Sequence, residues 1–229
     1  MNAVITGATR GIGRAIALKL ADNGYDLAIS SRHQEGLDEL TEAVRHTGRK
    51  VFLLEADLSR KEDVYRFCKS VEKEFPKVDV LVNNAGMFLP DSILDEPDQS
   101  FEDQLDLNLK AAYYTSKFFG KMMRRQLSGH IFNICSVASR QIVENAGAYS
   151  VTKTALLSLN HVFRDELSKY NVKVTAILPG STLTSSWEGT TIPAGKFVQP
   201  ENIADAICHI LNLSAGVNVD EIIIKPVQF

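Results

Sequence analysis

The sequence predicts an α/β fold, with residues 1–229 forming a single domain around a parallel seven-stranded, doubly wound sheet with helices on both faces. Short apolar runs alternate with amphipathic stretches of helical length along the chain, the pattern of parallel strands joined by right-handed helical crossovers. The runs AVIT and VLVN are continuously apolar rather than alternating, as in strands covered on both faces. No internal repeat, low-complexity tract or linker breaks the alternation.

The first strand candidate is Ala3–Thr6, followed by a glycine-rich turn and a helix over Ile12–Asn23. Strand Asp26–Ser30 precedes helix Glu35–Thr47, and strand Lys50–Glu55 precedes helix Lys61–Phe75. Strand Asp79–Val82 leads to a long helical segment, Gln99–Gln126, that reads as one helix or two. Strand His130–Ile134, helix Ala148–Tyr170, strand Val172–Leu178, helix Pro200–Leu213 and strand Glu221–Lys225 complete the series. The longest irregular stretch, Pro179–Gln199, holds Gly180, Gly189, Pro193 and Gly195 with Trp187, Ile192 and Phe197. A loop of this length in a compact domain is commonly a lid or binding loop. It follows a strand, so it emerges at the carboxyl edge of the sheet, where ligands bind in such folds.

Composition narrows the function classes. The formal charge is -3 with acids and bases mixed, so no basic tract points to nucleic acid. Cys68, Cys135 and Cys208 are scattered, giving neither a disulfide framework nor metal-ligand spacing, and a reducing, cytoplasmic setting is expected. NAVIT already reads as a strand, so no signal peptide is expected. No apolar run reaches the roughly 18–20 residues of a membrane span.

Three residues carry the chemistry. Tyr149 and Lys153 lie four apart in a helical stretch, GAYSVTKTALLSLN, which puts both side chains on one face. A free tyrosine has a pKa near ~10, and a neighbouring lysine cation favours the phenolate. Ser136, at the end of the preceding strand, could hold a substrate carbonyl beside them. Such a trio handles the proton in carbonyl reduction or alcohol oxidation and needs a hydride carrier.

The turn after the first strand supplies the place for one. In TGATRGIG, the residues Gly7, Thr9, Arg10, Gly11, Ile12 and Gly13 lie between a strand and a helix. Glycines let the backbone approach a ligand, and the helix N-terminus offers free N–H groups to a pyrophosphate. This is the mechanics of a Rossmann-type dinucleotide site, although the spacing is not GxGxxG. The second strand ends at Ser31–Arg32 with no acid. An acid there would bind a ribose 2′-OH, whereas an arginine suits a 2′-phosphate, so NADP(H) is expected over NAD(H). Asp57, after the third strand, is placed either for an adenine edge or for a structural turn.

TGATRGIG, Asn83–Asn84–Ala85–Gly86, Asn108, Ser136, the Tyr149–Lys153 pair and Pro179–Gly180 occur in order along nearly the whole chain. Together they resemble the short-chain dehydrogenase/reductase (SDR) family. The resemblance implies Tyr149 as general acid in reduction and base in oxidation, with Lys153 assisting it and bonding the nicotinamide ribose. It implies that Ser136 orients the carbonyl and that Asn108 holds a water in a proton relay. Asn83, Asn84, Ala85 and Gly86 would lie against the adenosine and ribose, Asp57 and Leu58 at the adenine, and Pro179, Gly180, Thr182 and Thr184 beside the nicotinamide. No metal is implied. The expected substrate is a ketone or aldehyde, or the corresponding alcohol. Arg140, Gln141, Ile142, Val143 and Glu144 face either the pocket or solvent, and Trp187, Phe88 and Phe197 either hint at an apolar pocket or, individually the more expected reading, are ordinary packing.

The ending NVDEIIIKPVQF carries Lys225–Pro226 where many members have a glycine-rich segment. In this it resembles small carbonyl, sepiapterin or hydroxy-acid reductases more than the 3-oxoacyl-carrier-protein reductases that TGATRGIG suggests. The resemblance also implies a homodimer or homotetramer built on helices Gln99–Gln126 and Ala148–Tyr170. A nucleotide-sensing protein without turnover would be expected to lack the tyrosine or lysine, and an epimerase or dehydratase on nucleotide-sugars to carry a further substrate domain.

Overall fold

A computed structural model describes residues 1–228; Phe229 lies outside the described residues. The strands β1 (Asn2–Thr6), β2 (Asp26–Ser31), β3 (Val51–Glu55), β4 (Val80–Asn83), β5 (Gly129–Ile134), β6 (Val172–Pro179) and β7 (Glu221–Ile224) form one sheet in the order β3-β2-β1-β4-β5-β6-β7. Every pairing is parallel. The chain winds outward from β1 to β3, then returns to lay β4 on the other side of β1. That reversal opens a crevice at the carboxyl ends of β1 and β4, where such folds bind ligands. The glycine turn and Asn84–Gly86 are the segments that leave those two strands.

The helices are α1 (Gly11–Asp22), α2 (Gln34–Val44), α3 (Lys61–Glu74), α4 (Asp98–Leu105), α5 (Ala111–Gln126), α6 (Gly147–Ser168) and α7 (Pro200–Leu211). On one face of the sheet, Ile16 and Leu20 of α1, Leu37 and Leu40 of α2 and Ile203 and Ile207 of α7 form a continuous core with Ile5, Ile29 and Phe132. On the other, Phe67 and Val71 of α3, Phe119 and Met123 of α5 and Leu167 of α6 pack on Val4, Leu81 and Val174. Burying each such side chain stabilises the fold by about 1.5–3 kcal/mol, so the sheet is held between two apolar layers.

The expected Gln99–Gln126 helix is divided. A π-helical turn, Asp106–Lys110, separates α4 from α5. Likewise α2 ends at Val44 and the chain continues as a 3₁₀ turn, Arg45–Thr47, closed by Gly48 at φ 64°.

Polar side chains interrupt the apolar strands at one level. Asn83 Nδ2 donates to Ser116 Oγ and to Asn133 Oδ1, both at 2.8 Å, and its Oδ1 accepts from Thr115 at 2.6 Å. Asn133 Nδ2 in turn donates to Asn160 Oδ1 at 2.8 Å. This ladder ties β4 and β5 to α5 and α6 directly beneath the crevice. The Asn83 side chain is thus buried and its hydrogen-bonding groups are spent inside the fold, which leaves its main chain for the contact expected of it. A second internal pair joins His130 Nε2 to Thr175 Oγ1 at 2.8 Å. The Thr175 hydroxyl donates to Val219 O, so the histidine is the donor, and burial pushes its pKa down to about 3.

Candidate active site

The glycine turn is shaped by its own backbone. Gly7 and Gly11 sit at φ 64° and 52°, in the left-handed region that favours glycine. A Cβ at Gly13 would overlap the Gly7 carbonyl and the Asn84 amide, so α1 and the segment after β4 close on the turn. Asn84 Nδ2 donates to the carbonyls of Thr6 and Gly7 at 3.0 and 2.8 Å. The Thr6 hydroxyl accepts from the N–H groups of Asn84 and Ala85, both at 3.0 Å. The turn is therefore held from behind. Helix α1 starts with no side-chain cap and no acid in its first turn, leaving its first N–H groups for an outside acceptor.

Around it, Thr9 Oγ1 lies 3.3 Å from Ser31 Oγ, joining the turn to the end of β2. Arg10 and Arg32 are exposed there, and neither is ion-paired among the described residues. Asp57 Oδ1 accepts from Ser59 N and Oγ at 3.1 and 2.8 Å, which is the turn role expected as its alternative. Leu58 is buried in the core, which leaves only its backbone for a ligand contact. Thr184 packs against Gly11, where a Cβ would lie 3.1 Å from the threonine methyl. Thr182 is buried and its hydroxyl donates to Gly180 O at 2.9 Å, so it shapes the loop.

The trio comes from two elements, the end of β5 and the start of α6. Ser136 follows β5 and caps a 3₁₀ turn, Val137–Ser139, accepting from Ala138 N at 3.1 Å. Tyr149 and Lys153 project from the first turns of α6, with the lysine Nζ 5.7 Å from the tyrosine ring centre. Lys153 is 5% exposed and donates to Ile134 O at 2.8 Å. No carboxylate pairs with this buried cation among the described residues. Phe88 stands edge-on to Tyr149, ring centres 5.0 Å apart.

The π turn brings Asn108 to the same place. Its Oδ1 accepts from Met87 N at 2.7 Å, and its Nδ2 donates to Met87 O and to Thr152 Oγ1 at 3.0 and 3.1 Å. The side chain thus clamps the segment after β4. Gly86 is the point of closest approach: a Cβ would lie 3.0 Å from Asn108 Oδ1 and 3.5 Å from Lys153 Nζ.

Two hydroxyls that the sequence reading missed join these groups. Thr152 accepts from Asn108 and donates to Tyr149 O at 2.9 Å. Ser139 accepts from Ser136 N at 3.2 Å and donates to Lys153 O at 2.8 Å. Thr152 precedes Lys153 and lies three residues after Tyr149, a spacing at which a threonine hydroxyl reaches back to a backbone carbonyl in a helix. Ser139 had no such local signal. Of the two settings open to Arg140, the structure gives the solvent side: it turns to Glu221, with Nε and Nη2 at 3.0 and 2.6 Å from Oε2. Burial raises the Glu221 pKa, but hydrogen bonds from Arg140 and His161 outweigh it and hold the carboxyl below its usual range. Phe197 is buried and packs edge-on to Trp187 at 5.0 Å, the ordinary packing that was its alternative role. Cys135, beside Ser136, stays a thiol, because burial pushes its pKa up to about 12 despite the nearby Lys153.

Residues 1–192 match the sequence model of the short chain dehydrogenase family. The chain belongs to that family. An uncharacterized oxidoreductase of Staphylococcus epidermidis is 34% identical over 225 residues, covering 98% of this chain and 96% of its own. Among solved structures, an alcohol dehydrogenase from the archaeon Thermococcus sibiricus, complexed with 5-hydroxy-NADP, superposes with a TM-score of 0.92 at 32% identity, covering 99% of this chain and 96% of its own. An actinorhodin polyketide ketoreductase with NADPH gives 0.90 at 26% identity, covering 98% and 95%. This short chain dehydrogenase has the features a dinucleotide needs: a glycine turn braced from behind, an uncapped helix N-terminus and a buried lysine without a counter-ion.

Proposed function

We propose that this chain is an NADP(H)-dependent oxidoreductase that reduces a ketone or aldehyde to an alcohol, with residues 1–229 acting as one catalytic domain. The observation that carries the reading is the convergence of Ser136, Tyr149, Lys153 and Asn108 at the mouth of the β1–β4 crevice. The relatives solved with NADPH and 5-hydroxy-NADP support the cofactor.

In this reading Gly7, Thr9, Gly11, Ile12 and Gly13 hold the pyrophosphate through backbone N–H groups. Arg10, Ser31 and Arg32 receive the 2′-phosphate, and guanidinium groups suit its geometry. Asp57 and the Leu58 backbone flank the adenine, and Asn84, Ala85 and Gly86 line the path between. Pro179, Gly180 and Thr184 stand beside the nicotinamide, with Thr182 holding their loop in shape. The bound cofactor supplies the hydride. Ser136 orients the carbonyl and Tyr149 gives its proton to the developing alkoxide. Lys153, buried without a carboxylate, stabilises the negative charge left on the phenol oxygen and bonds the ribose. Asn108 fixes the geometry and anchors the water that returns the proton.

Steady-state oxidation of NADPH and NADH with a panel of neutral ketones, aldehydes and diketones tests this. Turnover with NADPH preferred, and its loss in Tyr149→Phe with the fold intact, is expected. Undiminished turnover in that variant would falsify the assigned proton transfer.

A further inference from the structure

Three segments frame the space above Tyr149: residues 87–97 after β4, 137–147 after β5 and 180–199 after β6. They present an apolar set to solvent, namely Phe88, Ile93, Leu94, Ile142, Val143 and Ile192, with Leu94 90% and Ile142 93% exposed. Grouped exposed hydrocarbon of this kind marks a binding surface rather than ordinary surface. Two members are fixed to the reacting end. Phe88 is edge-on to Tyr149, and Ile93 covers Gly147, where a Cβ would lie 3.2 Å from its Cγ1.

The same segments hold five acids, Asp91, Asp95, Glu96, Glu144 and Glu188, against two cations, Arg140 and Lys196. None of the five is ion-paired among the described residues. Arg140 is held by Glu221, and Lys196 donates to Gln228 Oε1 at 3.2 Å on the carboxy-terminal segment. The α6 N-terminus would attract an anion, but it is screened from the mouth: Ile93 lies over Gly147, and Asp91 bridges to Ala146.

We propose that this mouth selects a neutral, apolar carbonyl compound, flanked by alkyl or aryl groups, and rejects anionic substrates such as free keto acids and phosphate-bearing carrier thioesters. The inference rests on the reductase reading above and deepens it. Hydrocarbon on the substrate is taken from water against the apolar set. A carboxylate or phosphate at the rim meets an excess of unpaired acids over cations, with Arg140 held by Glu221 and Lys196 the one rim cation outside an ion pair among the described residues, so its desolvation is poorly compensated.

The test uses a pair that shares one reacting ketone, ethyl benzoylformate and benzoylformate. With NADPH, the ester is expected to exceed the acid in kcat/KM by about 100-fold at low salt. The gap should narrow as salt screens the rim. In the double variant Asp91→Asn with Glu144→Gln it should fall to about 10-fold, through a gain for the acid alone. A second arm titrates both compounds calorimetrically into Tyr149→Phe loaded with NADPH, where at least about tenfold tighter binding of the ester is expected. Equal kcat/KM for acid and ester overturns the proposal and leaves the reductase reading standing. Reduction of neither, with the ester still bound in preference, upholds the substrate class and overturns the reaction. Binding of neither overturns both.

Discussion

Thr152 and Ser139 show how single hydroxyls can fix the geometry of the candidate site from behind. Thr152 links Asn108 to the Tyr149 backbone, and Ser139 links the Ser136 turn to the Lys153 backbone. Thr152→Val leaves a buried Asn108 N–H without an acceptor, a loss of about 1–3 kcal/mol. We expect kcat to fall about tenfold with the KM for NADPH nearly unchanged, and Thr152→Ser to restore it. Equal losses in the valine and serine variants would contradict a hydrogen-bonding role. At the far end of the crevice, Arg32 is exposed with no ion pair among the described residues. Arg32→Ala should raise the KM for NADPH about tenfold while leaving that for NADH alone, as loss of a charge-assisted phosphate contact requires. A parallel change for both cofactors would remove Arg32 from the 2′-phosphate.

The glycine turn and the π turn are the elements on which the site depends. Because a Cβ at Gly13 would collide with backbone at Gly7, Gly13→Ala should lower stability by about 1–3 kcal/mol. It should also abolish NADPH binding measured by fluorescence titration. Normal binding with a normal melting temperature would show that the turn is not close-packed. Both strand–turn–helix units that frame the site were legible in the sequence, since TGATRGIG and VLVN followed by Asn84–Ala85–Gly86 carry their own local signals. The π turn was not. Nothing in DLNLK distinguishes it from α-helix, because the irregularity comes from the Asn108 clamp on Met87, a contact 21 residues away in sequence. The inward turn of the Asn83 side chain was illegible for the related reason that an asparagine ending a strand can face a ligand or a polar ladder. The choice was made by Thr115, Ser116 and Asn133, on other elements.

At the scale of the whole molecule, the buried histidine controls the response to acid. His130 is held neutral, its pKa pushed down to about 3 by burial. Below about pH 6.5 the unfolded chain binds a proton there that the folded chain does not. Stability should therefore fall with pH, by about 1.4 kcal/mol per unit between about pH 6 and 5, above the usual carboxylate range. Urea unfolding across that window measures the slope, and His130→Gln should flatten it. An unchanged slope in the variant would place the titration elsewhere. The parallel, doubly wound sheet of seven strands could be read from the alternation of elements. Arg140 could not, because its partner Glu221 lies 81 residues away on the edge strand.

The central claim is that Tyr149 passes the proton in an NADPH-driven carbonyl reduction. The most direct measurement is single-turnover oxidation of bound NADPH by a neutral ketone in the wild-type chain and in Tyr149→Phe. The account predicts equal NADPH binding in both and a rate at least about 100-fold slower in the variant. Equal rates would contradict it.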